Sequence, residues 1–193
     1  MSPTTSLERR AVAAALLRDP GDMLVVTGLG STTYDAGAAG DRNLSFYLWG
    51  AMGGAAMIGL GLALARPARR VLVLTGDGEM LMGLGALATI AAAAPPNLAI
   101  AVFDNGRYGE TGAQESHTSL GTDLAAAAVA CGWRATATVT TEAELETLRL
   151  RLRSEPLFAV IRIAAGEPPR FLPPRDGAFL QHRFRAALGV DPS

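Results

Sequence analysis

The feature that most constrains the fold is the alternation of uncharged, strand-like runs with stretches of helical character. Most of these runs are aliphatic along their whole length, as expected for strands that are buried on both faces. Continuous apolar strands that alternate with helices form a mostly parallel sheet with helices on both faces. We therefore predict an α/β fold with a single doubly wound sheet. In such sheets the carboxyl ends of the strands are where ligands bind.

The individual elements follow from the apolar runs and from the periodicity between them. Strands are predicted at Met23–Thr27, Val71–Thr75, Leu98–Phe103, Ala135–Val139 and Leu157–Ile163, and helices at Thr5–Arg18, Met52–Ala65, Glu79–Ala94, Leu124–Cys131, Glu142–Arg153 and Gly177–Leu188. A chain of 193 residues fits one domain with a sizeable core. We expect residues 1–193 to form that domain, with 166–193 as a proline-rich strap and a last helix.

The composition excludes several classes of protein. All 17 basic residues are arginine, so the chain has no lysine for a P-loop or a Schiff base. Cys131 is the only cysteine, which excludes disulfide frameworks, cysteine zinc sites and iron–sulfur clusters on this chain. The N-terminus also lacks the pattern of a signal peptide. A cytoplasmic protein is therefore the default expectation.

Neither nucleic acid nor a membrane is an expected partner. The net charge of -1 shows no basic excess that would favour nucleic acid. Two stretches without charge, Leu44–Ala65 and Met80–Phe103, are long enough to resemble membrane spans. They lie among short α/β units, and Pro95 and Pro96 interrupt the second one. We therefore expect them to be buried in the core or in a subunit interface.

Polar residues follow two neighbouring strands of the predicted sheet. Gly76, Asp77 and Gly78 come directly after the second strand and precede a helix, and Asn105 stands at the tip of the next strand. An aspartate between glycines can hold a divalent cation, while the helix N-terminus faces anionic oxygens. This combination suits a magnesium diphosphate.

The GDG triplet, with an asparagine one strand–helix–strand unit later, resembles the motif of thiamine diphosphate enzymes. The resemblance covers Phe46–His117 well and the remainder more loosely. It implies that Mg²⁺ is bound by the side chains of Asp77 and Asn105 and by the main-chain carbonyl of Arg107. Oxygens of the diphosphate and of water would complete the coordination.

The same resemblance assigns further cofactor contacts. The backbone N–H groups of Gly78 and Glu79 would donate to the terminal phosphate, and the Gly50 carbonyl would accept from the 4'-amino group of the aminopyrimidine. Met52 would lie beneath the cofactor and enforce its bent shape, although without the resemblance a core position is the plainer interpretation. The complete predicted cofactor-binding set is Gly50, Met52, Gly76, Asp77, Gly78, Glu79, Asn105, Arg107, Tyr108 and Gly109.

Two residues are candidates for catalysis. His117 lies in the loop after the motif, where it could relay a proton or contact an anionic group of the substrate, or stand simply as a surface histidine. Many decarboxylases of the family carry a glutamate six residues after the asparagine, whereas here Glu110 is five after and Thr111 six. The role of Glu110 therefore stays open.

The resemblance also implies a partner. The glutamate that activates the pyrimidine belongs to a separate pyrimidine-binding domain, for which this chain has no room. We expect a partner subunit in an α2β2 or larger assembly. The segment NGRYGETGAQ (Asn105–Gln114), Gly121, Asp123 and the terminal HRFRAAL are most similar to phosphonopyruvate and sulfopyruvate decarboxylases, especially their small subunits. The implied reaction converts a 2-oxo acid to an aldehyde and carbon dioxide.

Two alternatives remain at this stage. Gly28 and Gly30 after the first strand are reminiscent of a nicotinamide dinucleotide-binding module, but Thr33 occupies the third glycine position. The second alternative is a structural or regulatory subunit that keeps the fold without turnover.

Overall fold

The computed structural model describes residues 7–190 and is built on a six-stranded sheet with the order β2-β1-β3-β4-β8-β7. All paired neighbours in this sheet are parallel, which confirms the predicted α/β class. The strands are β1 (Leu24–Thr27), β2 (Ser45–Tyr47), β3 (Val71–Gly76), β4 (Leu98–Asp104), β7 (Thr136–Val139) and β8 (Leu157–Arg162), and a separate antiparallel pair is β5 (Arg107–Tyr108) and β6 (Gln114–Glu115).

Helices cover both faces of the sheet. They are α1 (Arg9–Leu16), α2 (Ser31–Ala38), α3 (Ala55–Ala65), α4 (Asp77–Met82), α5 (Ala86–Ala93), α6 (Leu124–Ala130), α7 (Glu142–Ser154) and α8 (Gly177–Ala187). Leu72 and Leu74 of β3 pack into a core shared with α1 and α7, while Val71 and Val73 pack into a second core shared with α3, α5 and α6. Successive side chains of a strand point to opposite faces, so one continuous apolar strand contributes to both cores.

Several short elements were not predicted, among them an edge strand and a helix of the main fold. The edge strand β2 has only three residues, too few for a pattern of its own, and it forms by pairing with β1. Helix α2 contains two threonines and a glycine among its eight residues and has little helical periodicity. It is held by tertiary contacts instead, because the buried Asp35 pairs with Arg9 and Arg10 of α1.

The prediction of one continuous helix over Glu79–Ala94 is wrong. The helix ends at Met82, and α5 begins at Ala86 after a turn containing Gly83 and Gly85. At Gly83 the chain passes so close to the segment before α3 that an added Cβ would stand 2.3 Å from the Gly53 carbonyl oxygen. The glycines thus allow a close approach of two loops, which apolar periodicity does not reveal.

Helix α1 begins at Arg9 and ends at Leu16, and it is therefore shorter than the predicted Thr5–Arg18 helix. Residues 1–6 and 191–193, which the predicted Thr5–Arg18 helix and the 1–193 domain include, lie outside the described residues. Between β8 and α8 the chain runs as an extended strap, in which Pro174 accepts a hydrogen bond from the Trp49 indole at 2.9 Å. None of the helices in the described part is long and apolar enough to cross a membrane.

Candidate functional site

The loops that follow β1, β3 and β4 meet at the carboxyl edge of the sheet around a cavity of about 80 Å³. The chain order reverses between β1 and β3, which is the position where ligands bind in doubly wound sheets. The cavity is lined by Arg9, Leu29, Ser31, Thr32, Met52, Gly76, Asp77, Gly78, Glu79, Phe103, Asn105, Arg107, Tyr108, Gly109, Glu110, Thr111 and Ile163. Every predicted cofactor-binding residue except Gly50 is among them.

Asp77 is a buried carboxylate at the bottom of this site, with only 2% of its surface exposed. Both of its side-chain hydrogen bonds, from Ser116 and from Thr118 at 3.1 Å, go to Oδ2. Burial raises the pKa of Asp77, the hydroxyl of Ser116 lowers it, and the neighbouring Asp104 raises it further. Asp77 forms no ion pair with any described residue, so a bound cation would supply the missing counter-charge.

Asn105 and Arg107 face the same cavity as Asp77. The Asn105 side-chain oxygen accepts a hydrogen bond from the backbone N–H of Arg107 at 2.9 Å, which fixes the turn after β4. Carboxylate, amide and main-chain carbonyl oxygens are the donors that Mg²⁺ prefers. Within residues 7–190 no group of three His, Cys, Asp or Glu side chains could hold a metal, so a metal here depends on amide and carbonyl oxygens as well. The residues present fit the predicted ion.

A second buried carboxylate, Asp104, lies beside Asp77 and was not predicted from the sequence. Its Oδ1 accepts from the Gly106 N–H at 3.0 Å and from Thr118 at 2.8 Å, and its Oδ2 pairs with Arg162. The single hydroxyl of Thr118 is therefore within hydrogen-bond distance of both carboxylates, and its loop packs against two strand tips. Ser116 and Thr118 carried no sequence signal, because serine and threonine are common in loops for many reasons.

The side chain of Glu79 has a structural role that the backbone assignment did not include. Its carboxylate is buried and accepts from the Thr75 hydroxyl at 3.0 Å. Burial raises the pKa of Glu79, while hydrogen bonds from Thr75 and from the backbone of Ala55, Gly53 and Leu29 act in the opposite direction. This one carboxylate thus lies between the end of β3 and the segments before α3 and after β1.

The two candidate catalytic residues lie in different surroundings. Glu110 lines the cavity and stands 4.0 Å from Arg170 of the strap. His117 is exposed, is not among the residues that line the cavity, and bonds through Nδ1 to the Tyr108 hydroxyl at 3.3 Å. The Tyr108 ring in turn covers Gly78, where an added Cβ would stand 2.5 Å from it. Glu110 is brought to the cavity, whereas His117 reaches it only through Tyr108.

Comparison with solved structures defines the class of fold. A thiamin diphosphate-dependent enzyme from Mycobacterium smegmatis superimposes with a TM-score of 0.70, at 24% identity, over 84% of this chain and 32% of that chain. Benzoylformate decarboxylase from Polynucleobacter necessarius gives a TM-score of 0.71, at 21% identity, over 88% of this chain and 36% of that one. At this identity the similarity concerns the fold, which is that of thiamine diphosphate-dependent enzymes.

Sequence comparison then gives the family. Residues 28–163 match the model for the C-terminal TPP-binding domain of thiamine pyrophosphate enzymes, thiamine pyrophosphate being another name for thiamine diphosphate, and the chain belongs to this family. The matched range includes both halves of the motif, Asp77 and Asn105.

The curated relatives are named as decarboxylases. Phosphonopyruvate decarboxylase of Streptomyces viridochromogenes is 46% identical over 65% of this chain and 31% of its own length. The beta subunit of sulfopyruvate decarboxylase is 41% identical in Methanocaldococcus jannaschii, over 56% of this chain and 57% of that subunit. The same subunit from Methanococcus maripaludis is 37% identical, over 65% of this chain and 67% of that subunit. The chain thus matches about a third of the phosphonopyruvate enzyme and a larger share of the separate beta subunits.

Proposed function

We propose that this chain is the diphosphate-binding subunit of a heteromeric 2-oxo acid decarboxylase that depends on thiamine diphosphate and Mg²⁺. The observation that carries the proposal is the buried Asp77 carboxylate, which has no ion-pair partner among the described residues and shares one cavity with Asn105 and Arg107. Membership of the TPP-binding family supports the cofactor. The names of the relatives support the decarboxylase class. They also favour a substrate that resembles phosphonopyruvate or sulfopyruvate.

In the proposed mechanism thiamine diphosphate, when bound, supplies the electron sink that makes decarboxylation of a 2-oxo acid possible. The residues of this chain bind and orient it. Asp77, Asn105 and the Arg107 carbonyl would hold Mg²⁺, and the N–H groups of Gly78 and Glu79 would donate to the terminal phosphate. Ser116 and Thr118 fix the Asp77 carboxylate so that Oδ1 is left for the ion.

Met52 and Gly50 serve the pyrimidine end of the cofactor in this proposal. Met52 lines the cavity, whereas Gly50 is exposed and is not among the residues that line it. A cavity of about 80 Å³ is small for the whole cofactor, which is consistent with a site that this chain only half encloses. The subunit naming of the relatives supports a pyrimidine-domain partner that supplies the activating glutamate. Glu110, which lines the cavity, is a candidate for substrate contact.

The first test measures cofactor binding. We expect the full chain to bind thiamine diphosphate in the presence of Mg²⁺, and Asp77→Asn to weaken this binding by at least about tenfold, since a charged ligand of the ion becomes neutral. Isothermal titration calorimetry with and without Mg²⁺ measures the affinity of the unchanged chain and of the variant. Asp22→Asn is the matched control, because this aspartate is exposed and is not among the residues that line the cavity.

The second test measures turnover. The chain is combined with a pyrimidine-domain partner and a panel of 2-oxo acids that includes phosphonopyruvate and sulfopyruvate, and aldehyde formation is followed. Loss of activity in Asp77→Asn supports catalysis at this site. Unchanged activity in that variant would instead assign the chain a purely structural or regulatory role.

A further inference from the structure

The start of α1 lies at the functional edge of the sheet. Leu7 forms a parallel bridge with Ile163 just beyond β8, and its carbonyl accepts from the Ala164 N–H at 2.8 Å. This pairing brings Arg9 to the carboxyl ends of the strands. Arg9 lines the cavity that contains Asp77, and it also lines an adjacent cavity of about 310 Å³ that extends to the strap.

Arg9 is a buried cation held by a single carboxylate. Its side chain is 6% exposed, and its Nε lies 3.2 Å from Oδ2 of the fully buried Asp35. The other oxygen of Asp35 accepts from Arg10, so two guanidinium groups share this one buried carboxylate. The Arg9–Asp35 contact lacks hydrogen-bond geometry, and the Nη atoms of Arg9 donate to no other described residue.

The other basic side chains around the two cavities are already engaged. Arg107 is exposed and donates to the Ala113 carbonyl at 3.1 Å. Arg170 stacks over Tyr34 with 5.5 Å to the ring centre and faces Glu110. Arg9 is therefore the buried guanidinium at the cavity whose Nη donors are not taken up by any of residues 7–190. Such a group binds tetrahedral oxyanions through paired, charge-assisted hydrogen bonds.

We propose that Arg9 binds the terminal phosphate of the cofactor's diphosphate group. This inference rests on the proposed function. A phosphonate or sulfonate on a substrate offers the same oxyanion chemistry, but the position of Arg9 favours the cofactor. Arg9 shares the smaller cavity with Asp77 and Asn105, the predicted metal ligands, and Mg²⁺ bound there would hold the diphosphate beside it.

The test compares two ligands that differ by one phosphate. The full chain is titrated calorimetrically with thiamine diphosphate and with thiamine monophosphate, each with Mg²⁺, and with methylphosphonate and methanesulfonate as substrate-like anions. Arg9→Met removes the charge at similar length. Arg10→Met is the matched control, since it also removes a partner of Asp35 but from a residue that lines neither cavity. Circular dichroism verifies the fold of each variant.

We expect Arg9→Met to weaken thiamine diphosphate binding by about tenfold or more and to change thiamine monophosphate binding by less than about twofold, as the loss of charge-assisted hydrogen bonds predicts. Arg10→Met should leave the affinities for both ligands within about twofold of the wild-type values. Equal losses for the two ligands, or no loss for the diphosphate, would overturn the inference. So would a loss confined to methylphosphonate or methanesulfonate, which would assign Arg9 to the substrate.

Two further outcomes are separable. If the wild-type chain binds no thiamine diphosphate, the proposed function itself fails, and the inference with it. If Arg9→Met does not fold, Arg9→Lys replaces it, because lysine keeps a positive charge beside Asp35 but lacks the guanidinium fork. It should weaken diphosphate binding by about threefold or more, and an unchanged affinity would overturn the inference.

Discussion

Individual residues at the edge of the sheet are fixed by hydroxyl donors and by glycines. The Thr118 hydroxyl lies within hydrogen-bond distance of both Asp77 and Asp104, and the Thr75 hydroxyl donates to Glu79. Buried carboxylates without such donors would carry a large desolvation cost. The local order of the site therefore depends on small residues as much as on the charged ones.

Gly28 shows how tightly the Glu79 carboxylate is enclosed. A Cβ at this position would stand 1.5 Å from Glu79 Oε2. We predict that Gly28→Ala lowers the free energy of unfolding by about 1–3 kcal/mol or more, because a buried side chain must move. Urea unfolding followed by circular dichroism measures the change.

The control for this prediction is Gly76→Ala, where an added Cβ meets nothing within 4 Å. It should change the stability by less than about 0.5 kcal/mol. In a Glu79→Ala background the cost of Gly28→Ala should become much smaller, since the two residues are in contact. Additive effects of the two substitutions would contradict the proposed clash.

Among the elements, α3 shows two glycines with opposite surroundings. At Gly59 an added Cβ would stand 2.3 Å from Val73 Cγ2 of β3, whereas at Gly61 it would enter open space. The helix needs a glycine at the first position to pack closely on the sheet. At the second position glycine only weakens the helix.

We therefore predict that the same glycine-to-alanine substitution changes the stability in opposite directions at these two positions. Gly59→Ala should lower the free energy of unfolding by about 1–3 kcal/mol through overpacking. Gly61→Ala should raise it by about 0.5–1 kcal/mol through helix propensity. Thermal or urea unfolding of both variants measures the difference, and equal effects would show that α3 does not pack on β3 in this way.

The elements that were predicted correctly are those whose pattern is local. Buried strands such as Leu98–Asp104 are recognised by their uninterrupted apolar residues. The break between α4 and α5 depends instead on how close Gly83 comes to Gly53, and α2 depends on Asp35 pairing with α1. Contacts between distant segments do not leave a periodic signal, so these features could not be predicted.

At the scale of the whole molecule, α3 leaves large apolar side chains exposed. Met57 and Leu64 lie seven positions apart on one face of the helix, and Met82 at the end of α4 is exposed as well. Exposed apolar residues grouped in this way are typical of protein interfaces. They favour α3 as part of the surface that contacts the proposed partner subunit.

We predict that Leu64→Glu prevents co-purification with a co-expressed pyrimidine-domain partner, because burying an unpaired carboxylate in an apolar interface is costly. Leu150→Glu on α7 is the control. Leu150 is 59% exposed, close to the 58% of Leu64, but its helix covers the opposite face of the sheet. Size-exclusion chromatography of the co-expressed chains measures assembly. Intact assembly with Leu64→Glu would exclude this face of α3 from the interface.

The sequence by itself determined the class of fold and the place of the site. Its apolar strands require burial on both faces, and GDG followed by Asn105 sets two loops at one edge, because these signals are local or have a fixed spacing. Only the tertiary structure decided which distant side chains join them. Arg9, Asp35, Ser116 and Thr118 reach the strand tips through the folded path of the chain. A buried charge acquires its partners from packing, and packing is a property of the whole molecule.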